Sequence, residues 1–294
     1  MSTAQPGILL DVPPHARFLT FRLAPGADPR GALAALAAVP LTDGRIVGLG
    51  DVLVHALGAT IPGLRPFPAL TGVGVAAPST PTALWVRLAG ADPGALFHEG
   101  AALEAALAPS FVLDGVTESY RHGSGRDLTG YEDGTENPKG DAALAAALVS
   151  GQGPGYDGAS FLATQQWVHD WRAFRAMRPG EQDAAVGRRI SDNAEIEDAP
   201  PSAHVRRTAQ ESFSPPAFVV RRSMPWHDRH DSGLVFLAFA ATLDAFEAQL
   251  RRMIGLDDGV VDALYGFTRP VTGAYLWCPP VRADRLDLRA VGIG

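Results

Sequence analysis

Apolar and polar positions along the chain alternate with two periodicities, one typical of strands and one of helices, which indicates that strands and helices follow one another. In the first 120 residues the apolar runs predict the order β-α-β-β-α-β. The predicted elements span residues 16–23, 29–39, 45–57, 83–88, 93–107 and 111–120. This order is that of a ferredoxin-like unit.

The second half of the chain repeats the pattern. Its predicted elements span residues 160–168, 170–177, 179–189, 218–225, 234–242, 243–254 and 272–278. A segment rich in glycine and proline, residues 132–158, would join the two halves. We therefore predict an α+β fold made of two ferredoxin-like halves, residues 1–140 and 141–294.

One predicted helix carries a clear apolar stripe. Phe246, Leu250 and Met253 recur at intervals of three to four residues, which places their side chains on one helix face. We interpret this stripe as core that faces a sheet, and not as a cofactor-binding surface.

Composition narrows the class of protein. The chain has 294 residues, of which 46% are hydrophobic and 19% are charged, and this is typical of a globular protein and not of a disordered one. The formal net charge of −7 argues against a nucleic-acid partner, which would require a basic face.

The cysteine content and the first residues of the chain are informative about the cellular location of the protein. The single cysteine, Cys278, excludes an internal disulfide and a cysteine-based metal cluster, and its apolar surroundings predict a buried thiol. The first residues, MSTAQPGILLDVPPHARF, lack the features of a signal peptide, so we expect a cytoplasmic location. The longest apolar run, residues 233–241, is too short for a membrane span, which takes about 20 residues.

The string RDLTGYEDGTENP, residues 126–138, is the strongest candidate for chemistry. Gly130 and Gly134 bracket Asp133, and residues without a Cβ allow positive φ angles or close approach to a flat ligand. The alternative is an ordinary Asp-Gly turn, since that dipeptide often forms turns.

Among eight histidines, His204 stands out because Arg206 and Arg207 follow it closely. An imidazole beside two guanidinium groups suits a site for an anionic ligand, although an exposed loop histidine is the alternative. His227 and His230 lie in the charged string WHDRHD between two predicted strands, which favours a solvated hairpin loop over a metal site.

Two adjacent arginines lie in the predicted strand 218–225. Strand alternation sends Arg221 and Arg222 to opposite faces, so only one of them can enter a pocket. Arg221 shares its face with Ser223, which pairs a cation with a second polar group. Arg222 is expected at the surface, and a salt-bridged strand residue is the alternative for Arg221.

The string at residues 126–138 resembles the signature of the dye-decolourising peroxidases, of the bacterial B type. Further similar stretches are QQWVHDW at 165–171, VGRRISDN at 186–193, GLVFLAF at 233–239 and DALYGFTRPVTGAY at 262–275. The resemblance implies a dimeric α+β barrel of the chlorite dismutase-like superfamily, with the aspartate loop in the N-terminal half and haem in the C-terminal half. It also implies a haem b (iron protoporphyrin IX) peroxidase that reduces hydrogen peroxide through a ferryl intermediate and oxidises dyes or other aromatic one-electron donors.

The resemblance further implies roles for individual residues. His204 would be the axial ligand of the haem iron, and Asp262 would accept a hydrogen bond from its other ring nitrogen. Taken from the residues alone, a helix or turn carboxylate is the alternative for Asp262. Asp133 would shift a proton between the peroxide oxygens, and Arg221 would stabilise the developing charge. The other implied residues are Ser223 beside Arg221, Arg207 at a haem propionate, Gly134 and Thr135 near the haem, and Leu234 and Phe236 as apolar walls.

The sequence says less about electron donors and protein partners than about the cofactor. Trp167, Trp171, Trp226, Tyr131 and Tyr265 are candidates for oxidising bulky dyes at the surface, although aromatic residues more often belong to the core. We expect a homo-oligomer. Only residues 281–294 follow the last predicted strand, so packaging in a protein shell is unsupported.

Two other functions fit the same residues. The first is a protein that releases iron from haem, or stores and delivers haem, on the same fold and through the same histidine. The second is a structural or interaction module without haem, whose acidic loop and histidines serve partner contacts.

Overall fold

The computed structural model describes residues 3–294, and its centre is an antiparallel sheet. Within these residues the strands are β1 His15–Leu23, β2 Ile46–Gly50, β3 Leu70–Thr71, β4 Ala76–Ala77, β5 Leu84–Gly90, β6 Phe111–Tyr120, β7 Ser160–His169, β8 Val220–Arg221, β9 Met224–His227, β10 Ser232–Ala240, β11 Thr268–Pro270, β12 Ala274–Cys278, β13 Val281–Arg282 and β14 Arg285–Leu286. The α-helices are α1 Arg30–Ala38, α2 Asp51–Ala56, α3 Pro93–Leu107, α4 Asp141–Ala147, α5 Trp171–Ala176, α6 Pro179–Val186, α7 His204–Arg207 and α8 Leu243–Met253.

The main sheet closes on itself as a barrel. Its strands follow one another in the order β7-β12-β2-β5-β1-β6-β9-β10, and β10 then pairs with β7 over most of its length. Strands β8 and β11 add to the edges of β10 and β7. The barrel has an outer face, which the helices cover, and an enclosed inner face.

Alternating side chains divide the interior into two cores. On β5, Leu84, Val86 and Leu88 point outward into the core under the helices, whereas Trp85 points inward. Because side chains alternate along a strand, apolar residues at both parities allow one sheet to bury both faces. Helix α3 packs on β1, β5 and β6, α1 packs on α3 and β14, and α8 packs on β7 and β10.

The α+β fold class predicted from the sequence is confirmed, and several element ends are corrected. The predicted element 45–57 is a strand followed by a helix, β2 and α2. The predicted strand 218–225 is interrupted between β8 and β9, where the side chain of Arg222 turns away to bind the carbonyls of Leu9 and Leu10. Arg222 is therefore partly buried and not a surface residue.

Both predicted halves contribute to the same barrel. Strand β6 meets β9 at Ser119 and Trp226, and β2 meets β12 at residues 49–50 and 276–277. The division after residue 140 stays an interpretation of the sequence. No helix within residues 3–294 is both long and apolar enough to cross a membrane.

Candidate active site

A cavity lies between the outer face of β7 and β10 and the helix α8, and we call it the outer cavity. Its empty space, including the open solvent at the mouth, is ≈ 900 Å³. Its walls are mainly apolar, with Leu234, Phe236, Phe246, Met253 and Phe267 among them. A concave apolar site with a few polar groups is the usual form of a small-molecule or cofactor site.

His204 brings one ring nitrogen to the outer cavity. It is the first residue of α7, and its Nδ1–H donates to Oδ2 of Asp262 at 2.7 Å. Asp262 is buried, and its other oxygen accepts from the backbone N–H of Leu264. A carboxylate can only accept, so Nδ1 of the neutral ring carries the proton and Nε2 presents its lone pair. Among residues 3–294, no group hydrogen-bonds to Nε2.

Arg221 and Asp133 line the same cavity. Their nearest charged atoms, Nη1 and Oδ1, are 3.8 Å apart, and both side chains are largely buried. The buried Nε of Arg221 lacks a hydrogen-bond partner within residues 3–294. The arrangement places a fixed cation and a carboxylate side by side at an apolar wall, where charges are poorly screened by water.

The loop that carries Asp133 is tied to β8 by Asn137. The side-chain amide of Asn137 accepts from the backbone N–H of Arg221 at 2.8 Å and donates to the carbonyl of Arg221 at 3.0 Å. Gly130 and Gly134 have φ angles of 96° and 74°, as the sequence predicted for the turn around Asp133. Asn137 lies within the string at residues 126–138, but no local pattern there predicts its bonds to Arg221.

A second anchor holds the start of the same loop. His169, the last residue of β7, hydrogen-bonds through Nε2 to Asp127 at 2.9 Å and through Nδ1 to Thr268 at 2.8 Å. Burial alone would raise the pKa of Asp127, but hydrogen bonds from His169 and Thr129 outweigh it and hold that pKa below its usual value. His169 lies in the quoted string QQWVHDW, yet nothing in the sequence links it to Asp127.

Comparison with known proteins agrees with this geometry. The family model described as "Dyp-type peroxidase, C-terminal" matches residues 124–283, more than half of the chain. The chain belongs to the Dyp-type peroxidase family. The matched region contains every polar residue of the outer cavity described above, which confirms the resemblance found in the sequence.

Two curated relatives carry the name dye-decolorizing peroxidase. The protein of Rhodococcus erythropolis is 29% identical over 288 residues, which cover 95% of this chain and 80% of the relative. The protein of Mycobacterium tuberculosis is 27% identical over 230 residues, which cover 76% of this chain and 68% of the relative.

Solved structures of the family share the whole fold. A putative dyp-type peroxidase of Shewanella oneidensis has a TM-score of 0.89 at 27% identity, covering 95% of this chain and 97% of that one. A single-residue variant of DypB from Rhodococcus jostii, in complex with haem, has a TM-score of 0.85 at 26% identity, covering 92% of this chain and 94% of that one.

The fold of this Dyp-type peroxidase brings most of the predicted site residues together. His204, Asp133, Arg221, Leu234 and Phe236 all line the outer cavity, and the hydrogen bond predicted between His204 and Asp262 is present.

The remaining predicted residues lie beside the cavity. Ser223 is buried with its hydroxyl unpartnered within residues 3–294, and with Gly134 it lines an adjoining polar cavity. The hydroxyl of Thr135 accepts a hydrogen bond from Asn193.

Arg207 is paired with an acidic residue in this structure. Its two terminal nitrogens both donate to the carboxylate of Asp258, and one also donates to the carbonyl of Arg252. The hydrogen bonds from Arg207 lower the pKa of Asp258 to about 2. Arg207 does not line the outer cavity, and its contact with a haem propionate stays a prediction from the sequence.

The apolar stripe of α8 also needs a correction. Phe246, Leu250 and Met253 are buried, as predicted, but Phe246 and Met253 also form part of the wall of the outer cavity. Periodicity shows which face of a helix is buried and does not show whether a neighbour or a ligand covers that face.

The anchor at Asp127 gives a prediction for stability. Its lowered pKa means that the folded state favours the carboxylate, so its contribution is present above about pH 4 and lost as pH falls through the folded pKa. We expect Asp127→Asn to lower the free energy of unfolding by about 3 kcal/mol at pH 7. Because the variant has no carboxylate to protonate there, its Tm should decrease less than that of the wild type as pH falls below about 4.

Thermal unfolding followed by circular dichroism at several pH values tests this expectation. The matched control is Asp192→Asn, which removes an exposed carboxylate paired with Arg189 and should change Tm little. Equal Tm values for the two variants at pH 7 would contradict the stabilising role of Asp127.

Proposed function

We propose that the protein is a haem-dependent peroxidase that reduces hydrogen peroxide and oxidises dyes or other aromatic one-electron donors. The observation that carries this conclusion is the outer cavity, in which the free Nε2 of His204 shares one apolar site with Arg221 and Asp133. Membership of the Dyp-type peroxidase family supports it.

The lining of the outer cavity fits haem. The walls are apolar and aromatic, and Nε2 of His204 is left free, so His204 would be the residue that binds the haem iron. Three buried donors on the lining have no hydrogen-bond partner within residues 3–294: Nε of Arg221, Nε2 of Gln165 and Nε1 of Trp167. Unpaired buried donors are costly, and a bound cofactor with its ligands is one way to satisfy them.

His204 would hold the haem iron through Nε2, with Asp262 fixing the ring. Accepting the Nδ1 proton orients the imidazole and raises the electron density at Nε2. When bound, haem b supplies the redox chemistry that amino-acid side chains lack. Leu234 and Phe236 would keep bulk water and large dyes away from the reacting oxygens.

Asp133 and Arg221 would act on the peroxide itself. Asp133 takes the proton from one peroxide oxygen and returns it to the other, which becomes a good leaving group as water. Proton transfer of this kind contributes about 10²–10⁴-fold. Arg221 stabilises the negative charge that develops on the departing oxygen, and it is held in place by its strand and by Asn137.

Several finer points stay predictions from the sequence. They are the homo-oligomer, the cytoplasmic location, cofactor contacts of Gly134 and Thr135, and a part for Ser223 in the reaction. No observation favours haem handling or a haem-free module over the peroxidase.

The visible absorption spectrum of protein expressed with ample haem tests the proposed function. We expect a Soret band that changes on addition of one equivalent of hydrogen peroxide and returns when an aromatic donor is added. A Soret band that peroxide leaves unchanged would favour haem handling. A protein without a Soret band would contradict both haem functions.

A further inference from the structure

A second cavity lies inside the barrel, directly behind the wall of the outer cavity, and we call it the lumen cavity. Its empty space, including the open solvent at the mouth, is ≈ 1420 Å³. On β7, Trp167 and Gln165 face the outer cavity, whereas Thr164 and Gln166 face the lumen cavity. The two cavities are therefore separated by the thickness of one sheet.

The lining of the lumen cavity combines aromatic rings with hydroxyl groups. Phe18, Trp85 and Trp226 are buried and form its aromatic part, and the first two stack with their centroids 5.7 Å apart. Threonines surround them, at positions 20, 80, 82, 117, 164 and 272. Aromatic walls with scattered hydroxyls suit a planar ring that carries polar substituents.

The charge of the lining is negative. Asp114, Glu118 and Asp228 lie on it, and within residues 3–294 no lysine or arginine does. Glu118 is paired with Arg17, and Asp114 lies 3.8 Å from Arg22, so the negative charge comes mainly from Asp228. Hydrogen bonds from the backbone of Asp231 and His230 keep the pKa of Asp228 below its usual value, so this carboxylate stays ionised at neutral pH. Such a lining repels anions and favours neutral or cationic ligands.

Two tryptophans connect the cavities. The indole N–H of Trp226, whose ring lines the lumen cavity, donates to the backbone carbonyl of Trp167 at 3.0 Å. The ring of Trp167 lines the outer cavity, and its own N–H has no partner within residues 3–294. Gly233 lies between them: a Cβ there would come within 2.0 Å of the Trp167 carbonyl oxygen, so only glycine permits this contact.

We propose that the lumen cavity binds a neutral or cationic phenol and that Trp226 and Trp167 carry its electron to the outer cavity. This inference rests on the proposed peroxidase function and names its donor site. Each phenol loses one electron through Trp226 and its hydroxyl proton to water at the mouth, and leaves as a phenoxyl radical. Two phenols supply the two electrons and two protons that convert one hydrogen peroxide into two waters.

The site differs from the surface oxidation expected from the sequence. Trp167, Trp226 and Tyr131 are buried and so cannot meet a dye at the surface. Trp226 lines the lumen cavity instead, so its donor would bind there and not at the outer surface.

Binding is tested first, with guaiacol as a neutral phenol, by isothermal titration calorimetry on the haem-loaded protein without peroxide. Thr117 pairs with Phe18 and faces the lumen, so Thr117→Trp fills the cavity. We expect it to weaken guaiacol binding by at least about tenfold, or 1.4 kcal/mol. Val73→Trp, which adds the same ring at an exposed loop, is the matched control and should bind guaiacol as the wild type does.

A charge reversal tests the same site without filling it. Asp114 is exposed at the lining, so Asp114→Lys should fold normally. We expect this variant to bind a sulfonated anthraquinone dye several-fold more tightly than the wild type, with guaiacol affinity little changed. Unchanged guaiacol affinity in Thr117→Trp, or unchanged dye affinity in Asp114→Lys, overturns the assignment of the site.

The electron path is tested with Trp226→Phe, which keeps an aromatic ring but removes the N–H and is much harder to oxidise. Guaiacol turnover should fall about tenfold while guaiacol affinity is retained. Trp277→Phe is the control, because Trp277 is buried on β12 and lines neither cavity. Equal guaiacol turnover in Trp226→Phe and wild type overturns the path.

The peroxidase function and the donor site in the lumen cavity can be contradicted independently of each other. A wild-type Soret band that does not respond to peroxide would contradict the peroxidase function, whatever binds in the lumen cavity. A normal peroxide response combined with unaltered guaiacol binding in Thr117→Trp would contradict the donor site alone.

Discussion

Replacement of His204 by glycine is expected to remove the Soret band from protein expressed with ample haem, and added imidazole is expected to restore part of it. His204 is the histidine of the outer cavity whose Nε2 is free, and without it the iron loses its axial bond to the protein. Absorption spectra of the variant with and without imidazole measure the effect.

Two further variants test whether the loss of the Soret band is specific to His204 and its hydrogen-bond partner. Asp262→Asn keeps His204 but weakens its hydrogen-bond partner, and we expect about 10–100-fold weaker cofactor affinity. His230→Gly removes an exposed hairpin histidine and should leave the Soret band unchanged. A normal Soret band in His204→Gly without imidazole would show that another group holds the iron.

Arg221→Ala is expected to slow the reaction with hydrogen peroxide by about 10²–10³-fold, at least as much as Asp133→Ala does. The backbone of Arg221 is held by β8 and by Asn137, which directs its side chain into the outer cavity before the peroxide arrives. The carboxylate of Asp133 transfers a proton, and water can replace that function in part. Stopped-flow measurement of the spectral change after mixing with peroxide gives both rates.

The neighbouring arginine is the natural control for this experiment. Arg222 binds the carbonyls of Leu9 and Leu10 and does not line the outer cavity, so Arg222→Ala should react with peroxide at the wild-type rate. Wild-type rates in both Arg221→Ala and Asp133→Ala would contradict the assigned roles, whatever the cofactor content of the variants.

Local patterns were sufficient for much of the fold. Alternating apolar residues predicted most strands of the barrel, and three-to-four spacing predicted α8. They failed where the same run changes its structure. Residues 45–57 read as one apolar element but form β2 and α2, and the run 218–225 breaks at Arg222, whose side chain binds carbonyls more than 200 residues away. A local pattern contains no information about such distant partners.

Some residues of the candidate site were predicted from the sequence, whereas their contacts with distant residues were not. The sequence by itself determined the Asp133 turn, and similarity to a family picked out His204, Arg221 and Asp262. Only the tertiary structure decided that Arg207 pairs with Asp258, 51 residues away, and that His169 holds Asp127, 42 residues away.

The lumen cavity is the clearest case of what the tertiary structure decides. Trp167 and Trp226 are 59 residues apart, and their hydrogen bond exists because β10 places Gly233 between β7 and β9. The sequence determines which residues prefer strands and which side chains can ionise or be oxidised. Which of them meet depends on the closure of the barrel, because strand pairing joins segments whose separation along the chain leaves no local trace.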